Sequence, residues 1–408
     1  MSPINKPTVL YISYDGMLEP LGQSQVLSYL EKLSSTYNII IISYEKQDDL
    51  INIKKFNSIK SRINAANIVW FNLRYHKRWR LLSTLYDVLL GTLLGLFVIY
   101  KHKVDLIHSR SYIGSTVALL LKKLTRTNYL FDIRGFWVDE KRESNGWSNN
   151  SMIYIFLKKL ESILFSNAAH IVSLTIAARS EIQYNLIKSP PKDLITVIPT
   201  CVNLEKFKFD PKCKEEILGY VGSIGEMYDF KKTIEIYKSM SKHIPFLKYI
   251  IINKGEHELI RNTLFKSNVD MSMVSILSSD HSDMPTHLKK MKYGVFCYKN
   301  AYSRLACSPT RLGEYIASGV ACITTSGVGD VDNIIKDNRL GVIWDRDKSK
   351  LDDCILNLIQ ITNDSLYIKR CLEFSSRYYS LDDGVCKYSK IYQKLLKQLP
   401  EYLAKKYL

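Results

Sequence analysis

One design occurs twice in this chain and narrows its folding options more than any other feature. TVLYISYD (Thr8 to Asp15) is a β-branched and aromatic run suited to a buried strand, followed by the glycine-bearing loop GMLEPLGQSQ and the helical pattern VLSYLEKLSS. ILGYVGSIGEMYDF (Ile217 to Phe230) repeats the order, with Gly222, Ser223 and Gly225 in the loop and KKTIEIYKSM as the helix. Strand, loop and helix in succession open a doubly wound α/β domain. Two such domains of roughly 150 to 200 residues each account for a chain of 408 residues.

Further strands follow at α/β spacing. In the first half they are Tyr37 to Glu45, Ala66 to Tyr75, Leu106 to Gly114, Asn128 to Glu140, His170 to Thr175 and Asp193 to Phe207, with the charged KQDDLINIKKFNSIKSR as the second crossover. Pro199 and Asn203 mark a turn out of the sheet, which places a boundary near Phe207. FLKYIIINKG, VSILSS, YGVFCYKN, ACITTSG and LGVIWD supply the second sheet. The expected division is 1–207, 208–380 and a basic helical tail over 381–408 that returns to brace the first domain.

Ligands of open parallel sheets bind beyond the carboxyl ends of the strands, so polar residues there are site candidates. In the first half these are His108, Ser109 and Arg110, then Asp132, Arg134, Gly135 and Trp137, with Gly22, Gln23 and Ser24 in the first loop. Gly22 lets the backbone turn tightly and approach a ligand, while Gln23 and Ser24 offer neutral donors near a helix start. A buried Asp132–Arg134 pair bracing its loop is the structural alternative to catalysis.

SPTRLGEYIASG (Ser308 to Gly319) concentrates the chemistry of the second half. Ser-Pro disfavours helix at Ser308 and lets one begin at Pro309 or Thr310. The free N–H groups of that helix start and the charge of Arg311 suit a diphosphate. Glu314, one turn later, suits the paired hydroxyls of a ribose. The competing reading is an ordinary amphipathic helix with an Arg–Glu pair on its wet face.

A formal charge of +17 favours anionic partners: phosphorylated substrates or an acidic membrane surface. No zinc finger, RNA-binding aromatic motif or basic zipper is present, so nucleic acid is not an expected partner. Eight scattered cysteines without a CxxC pair, and MSPINKP leading directly into a strand without a cleavable signal, point to reduced thiols and the cytosol. The apolar run Leu81 to Tyr100 is near the roughly 20 residues of a membrane span. Asp87 and the strand rhythm that follows favour a core helix, and the flanking HKRWR and KHK allow a third reading, a helix edge on an anionic membrane surface. On that reading contact is peripheral and a high-salt wash releases the protein.

In order, VLYISYDGMLEPLGQSQVL, FDIRGFWVDE, VIPTCVNLEKF, GYVGSIGEMYD, SPTRLGEYIASG and SGVGDVD resemble the motifs of GT-B glycosyltransferases of family GT4, particularly bacterial enzymes of polysaccharide, capsule and O-antigen assembly. The likeness covers nearly the whole chain. It implies two Rossmann-like, doubly wound parallel-sheet domains facing a central cleft, and a retaining hexosyl transfer from a nucleotide-diphosphate sugar, with no essential metal and no cofactor beyond that co-substrate. Carried over by position, Glu314 is similar to the second glutamate of an E-x7-E element, which binds ribose, and Ser308, Pro309 and Thr310 open the helix that receives the diphosphate. Gly22 matches a loop near donor phosphate and acceptor, and Asp132 lies where relatives place a His or Asp near the reacting sugar.

The departures are specific. Ala306 stands where the first glutamate would fall, and Ser223 replaces an Arg after the first strand of the second domain, leaving Lys254, Arg304 and Arg311 to supply charge. Gly222 and Ser223 complete the donor loop; Gln23, Ser24, His108, Arg110 and Trp137 are assigned to the acceptor. Catalysis falls to Asp132, which would orient or deprotonate the acceptor hydroxyl, and to Arg134, which would hold acceptor or phosphate. The acceptor expected is a growing glycan on a lipid carrier. The rivals are a nucleotide-sugar epimerase of the same fold and a membrane-surface scaffold without a working site.

Overall fold

The β-branched runs become strands because parallel sheets are buried on both faces and reward continuous apolar sequence. The computed structural model describes residues 6–76, 81–187, 190–191, 193–225 and 227–404, with side chains to 397. The basic residues 77–80, Glu226 of the GSIGEMYD loop and the last residues of the tail, 405–408, lie outside the described residues.

The first sheet contains β1 (Thr8–Ser13), β2 (Asn38–Glu45), β3 (Val69–Arg74), β4 (Leu106–Arg110), β5 (Tyr129–Asp132), β6 (His170–Ser173) and β7 (Ile195–Val197), in the order β3-β2-β1-β4-β5-β6-β7. The second contains β8 (Glu215–Val221), β9 (Lys248–Ile252), β10 (Val274–Leu277), β11 (Met291–Phe296), β12 (Ala321–Thr325) and β13 (Gly341–Trp344), in the order β10-β9-β8-β11-β12-β13. Every strand pair is parallel, and in each sheet the order reverses beside the first strand. That reversal is where a doubly wound sheet opens a crevice at its carboxyl edge. In the first sheet the register sets Ser13 beside Arg110 and Arg110 beside Asp132, so the polar residues of three strand ends share one level.

The chain forms two compact units, one of residues 1–198 and 381–408, the other of residues 199–380. The strand expected over Asp193 to Phe207 is short, Ile195–Val197, and the residues after it serve the second unit. Val202 donates its N–H to the Tyr379 carbonyl at 2.7 Å, and Phe207 is buried in the second core. The final helix, Leu381–Ala404, packs on the first unit: Tyr37 meets Tyr392 with ring centroids 5.1 Å apart, and Tyr29 meets Tyr388 at 5.6 Å.

The helix Leu81–His102 is long and apolar enough to cross a membrane, yet it docks on the first unit through Ser83, Asp87, Gly91, Thr92 and Gly95 together with Val88, Val98 and Ile99. Gly91 and Gly95 belong to that face because a Cβ would fall 2.0 Å from the Tyr44 hydroxyl at one and 2.6 Å from Leu121 at the other. Asp87 is fully buried there. Its carboxylate accepts from the Tyr14 hydroxyl at 2.8 Å and the His76 N–H at 3.2 Å, and lies 2.6 Å from His76 Nδ1.

Candidate functional site

In the second unit, the helix after β11 runs from Thr310 to Ala317, with Pro309 extended at its N-cap (φ −66°, ψ 117°) and no side chain capping it. Leu312 donates its N–H to the Pro309 carbonyl at 3.0 Å, and the N–H groups of Thr310 and Arg311 before it are the ones a helix start offers to an anion. Ser308 is bound to its own unit: its hydroxyl lies 3.1 Å from that of Thr200, whose Oγ1 also donates to the Ser308 carbonyl at 3.0 Å.

Arg311 and Glu314 are both buried, which overturns the wet-face reading of this helix. The Arg311 guanidinium sits among the rings of Tyr228, Tyr220 and Phe296, at 4.6, 5.3 and 5.9 Å, and its Nη1 has no hydrogen-bond partner among the described residues. Gly222 lies directly against it: φ is +121°, and a Cβ there would be 2.3 Å from Arg311 Nη2. Arg304, in the turn Tyr302–Ala306, is also buried, 6.0 Å from the Tyr298 ring, with Nε likewise unpartnered. Tyr228 and Tyr298 are 4.8 Å apart, so the two arginines flank one ring pair. Buried guanidinium N–H groups without acceptors are costly unless a ligand takes them.

Glu314 points elsewhere, to His281 beyond β10, with Oε1 3.0 Å from Nε2. Next to His281, Asp280 pairs at 3.3 Å with Lys254, which is exposed. The glycine loop is held from below: the Gly222 carbonyl accepts from Asn253 Nδ2 at 3.0 Å, Ile224 donates to Glu256 at 2.9 Å, and the Ser223 hydroxyl accepts the Gly225 N–H at 3.0 Å. His281, Asn253 and Glu256 were not among the residues singled out from sequence. INKGEHE carries no spacing that distinguishes a loop anchor from a solvated turn.

In the first unit, Asp132 is 1% exposed and meets four polar groups. Tyr388 of the final helix donates to it at 2.9 Å, Arg134 lies at 3.5 Å and His108 Nε2 at 3.7 Å. His108 Nδ1 lies 2.6 Å from the Tyr392 hydroxyl. The fourth is Arg110 at the neighbouring strand end, whose Nε donates to Asp15 at 2.9 Å. Burial pushes the Asp132 carboxyl up, but the charge of Arg134 and the proximity of His108 and Arg110 outweigh it and hold the pKa at about 2. Burial lowers that of His108. Asp132 Oδ1, His108 Nε2 and Arg110 Nη1 are buried without hydrogen-bond partners among the described residues. Arg134 adopts φ +55°, a left-handed conformation that costs a non-glycine residue free energy and concentrates at functional sites. Its Nη2 lies 3.4 Å from Gln25 Oε1.

The first loop differs from expectation. Gly22 is helical (φ −60°, ψ −42°) and buried, and a Cβ there would be 2.0 Å from the Gly16 carbonyl, so its small size serves contact within the chain rather than approach to a ligand. Gln23 Nε2 donates to the Leu18 carbonyl at 3.0 Å and Ser24 Oγ to Pro20 at 2.8 Å, so both side chains bond their own loop. Glu45, missed from sequence, fixes that loop by accepting the N–H groups of Met17 and Leu18 at 2.8 and 3.1 Å. Trp137 packs at 5.7 Å on Tyr112, and Asp139, two residues further, bonds Tyr154 and Lys158.

No protein-family model matches the chain, and no curated protein matches it in sequence. Solved structures do match. A glycosyltransferase from Rickettsia africae superposes with a TM-score of 0.69 at 17% identity, covering 96% of this chain and 99% of its own. HepE from Anabaena, in complex with UDP and glucose, gives 0.69 at 11% identity, covering 95% and 100%. A candidate UDP-N-acetylglucosamine 2-epimerase from Listeria monocytogenes gives 0.63 at 12%, covering 96% and 97%. At these identities the likeness is one of fold: each unit is Rossmann-like, and the chain has the GT-B fold.

Proposed function

We propose that the chain is a retaining glycosyltransferase of the GT4 type that moves a hexose from a nucleoside-diphosphate donor to a glycan or lipid-linked acceptor, at the cytoplasmic face of a membrane, in cell-surface polysaccharide assembly. The observation that carries this reading is the pair of buried guanidinium nitrogens without partners among the described residues, Arg304 Nε and Arg311 Nη1, beside the start of the helix Thr310–Ala317. Such donors stabilise charge as a diphosphate leaves, without a metal ion. HepE, a structural neighbour, is described in complex with UDP and with UDP-glucose.

In the proposed reaction the bond from the sugar C1 to the diphosphate oxygen breaks and a bond from C1 to the acceptor oxygen forms on the same face. The acceptor's proton passes to the departing phosphate oxygen. Arg311, with Gly222 against it, and Arg304 hold the diphosphate, Lys254 adds charge from solvent, and Glu314 accepts from the ribose hydroxyls with His281 orienting it. Asp132, whose carboxyl stays ionised down to about pH 2, is a weak base and orients the acceptor, while Arg134, His108 and Arg110 line the same strand ends.

The test is a thermal-shift panel of nucleoside diphosphates. At a ligand concentration 100 times Kd, binding to the folded form adds about 2.7 kcal/mol. A matching diphosphate raises Tm, its 2′,3′-dideoxy analogue does so less, and Glu314→Gln erases that difference. If no diphosphate shifts Tm, the reading fails and a scaffold without a site remains. The Listeria neighbour motivates one rival, an epimerase, which would convert a nucleotide sugar in the absence of any acceptor.

A further inference from the structure

The helix Leu81–His102 keeps most of its leucines and aromatic rings on the outside of the first unit. Its buried face carries Val88, Val98 and Ile99 but is otherwise small or polar: Ser83, Asp87, Gly91, Thr92 and Gly95. Its solvent face carries Leu82, Leu85, Leu89, Leu93, Phe97 and Tyr100, each at least half exposed. Their spacing of three and four residues makes one continuous stripe along the helix.

The neighbouring helices extend the apolar face. The helix Ser111–Thr125 packs against Leu81–His102 and exposes Leu120 and Leu124. The helix Met152–Asn167 packs against Ser111–Thr125 and exposes Met152, Ile155 and Phe156. Nothing in the sequence had marked this third helix. An exposed apolar face spanning three adjacent helices exceeds the scattered leucines of an ordinary soluble surface.

Charge identifies what covers it. Asp87 and Glu161 are the only carboxylates on the three helices, and both are buried and hydrogen-bonded, Glu161 to the Tyr112 hydroxyl at 2.7 Å. The exposed charges on and beside these helices are all positive: Lys101, Lys103, Lys123, Arg126 and Lys159. A second copy of this chain would set like charges against each other across a paired interface. An anionic bilayer satisfies both features, taking the apolar side chains at its headgroup boundary and the lysines at its surface.

We propose that this three-helix face docks on an anionic phospholipid bilayer by shallow insertion of its apolar side chains, with the basic rim adding attraction. The attachment then outlasts a salt wash, unlike a purely electrostatic one. It is independent of the transfer reaction, because its residues lie outside the proposed donor and acceptor sites.

The experiment is flotation of the full chain with vesicles of phosphatidylcholine containing about 30 mol % phosphatidylglycerol, at low salt and at about 0.5 M NaCl. The wild type is expected to float under both conditions, less at high salt, and less with pure phosphatidylcholine. Leu89→Glu/Leu93→Glu, and separately Phe156→Glu, should each cut the bound fraction about tenfold or more, while leaving circular dichroism, Tm and any nucleotide-induced Tm shift unchanged, since the side chains replaced are exposed. Wild type that does not float, or variants that float as well as wild type, would overturn the proposal. So would a wild-type dimer in light scattering that the double variant makes monomeric, because the face would then be an interface between copies.

Discussion

At the scale of the residue, Asp132 shows how surroundings redefine a side chain. FDIRG marks it as a carboxylate at a strand end beside Arg134, but its pKa is set by burial and Arg134 together with His108 and Arg110 of β4, more than twenty residues away in the chain. A carboxylate whose pKa falls from 3.8 unfolded to about 2 folded stabilises the fold above pH 3.8 and loses that contribution as the pH falls through about 2. Replacing it by Asn should cost about 2 kcal/mol at neutral pH. The Tm difference between Asp132→Asn and wild type should shrink as the pH drops from about 4 towards 2; a difference constant over that range would mean that Asp132 is not held ionised. The helix that carries Arg311 and Glu314 was legible from the Ser-Pro before it. His281, Glu256 and Glu45 were not, because a carboxylate or imidazole that braces a loop has the same sequence appearance as one on a wet turn.

At the scale of the element, the final helix carries two tyrosines that reach the polar strand ends of the first sheet, Tyr388 to Asp132 and Tyr392 to His108. Its basic, amphipathic sequence predicts a helix but not what its tyrosines touch, since the partners lie more than 250 residues away. Tyr388→Phe removes a hydrogen bond to an ionised group, worth about 1.5–3 kcal/mol, and should lower Tm by about 5 °C, whereas Tyr184→Phe, at an exposed ring, should leave it unchanged. A Tm for Tyr388→Phe equal to wild type would show that the helix contributes packing alone. The helix Leu81–His102 makes the complementary point. Its composition identifies an apolar helix, and only its neighbours reveal that Asp87 and the two glycines face inward while a stripe of leucines faces out.

At the scale of the whole molecule, a charge of +17 spread over two units implies self-repulsion that counter-ions relieve. Raising ionic strength to about 0.15 M, where the Debye length is about 8 Å, should raise Tm by about 2–4 °C; calorimetry showing no rise would mean that the cations are already neutralised by neighbours. The alternation of strand and helix, the doubly wound class, the repeat of the opening design and the helix beginning after Ser308 were all determined by the sequence alone. They depend on side-chain period, on glycine and proline, and on residues close together in the chain. Which polar groups are buried, which arginine N–H groups lack a partner and which face of the apolar helix meets solvent were decided by the tertiary structure. Those properties depend on contacts between residues far apart in sequence, and no local pattern records them.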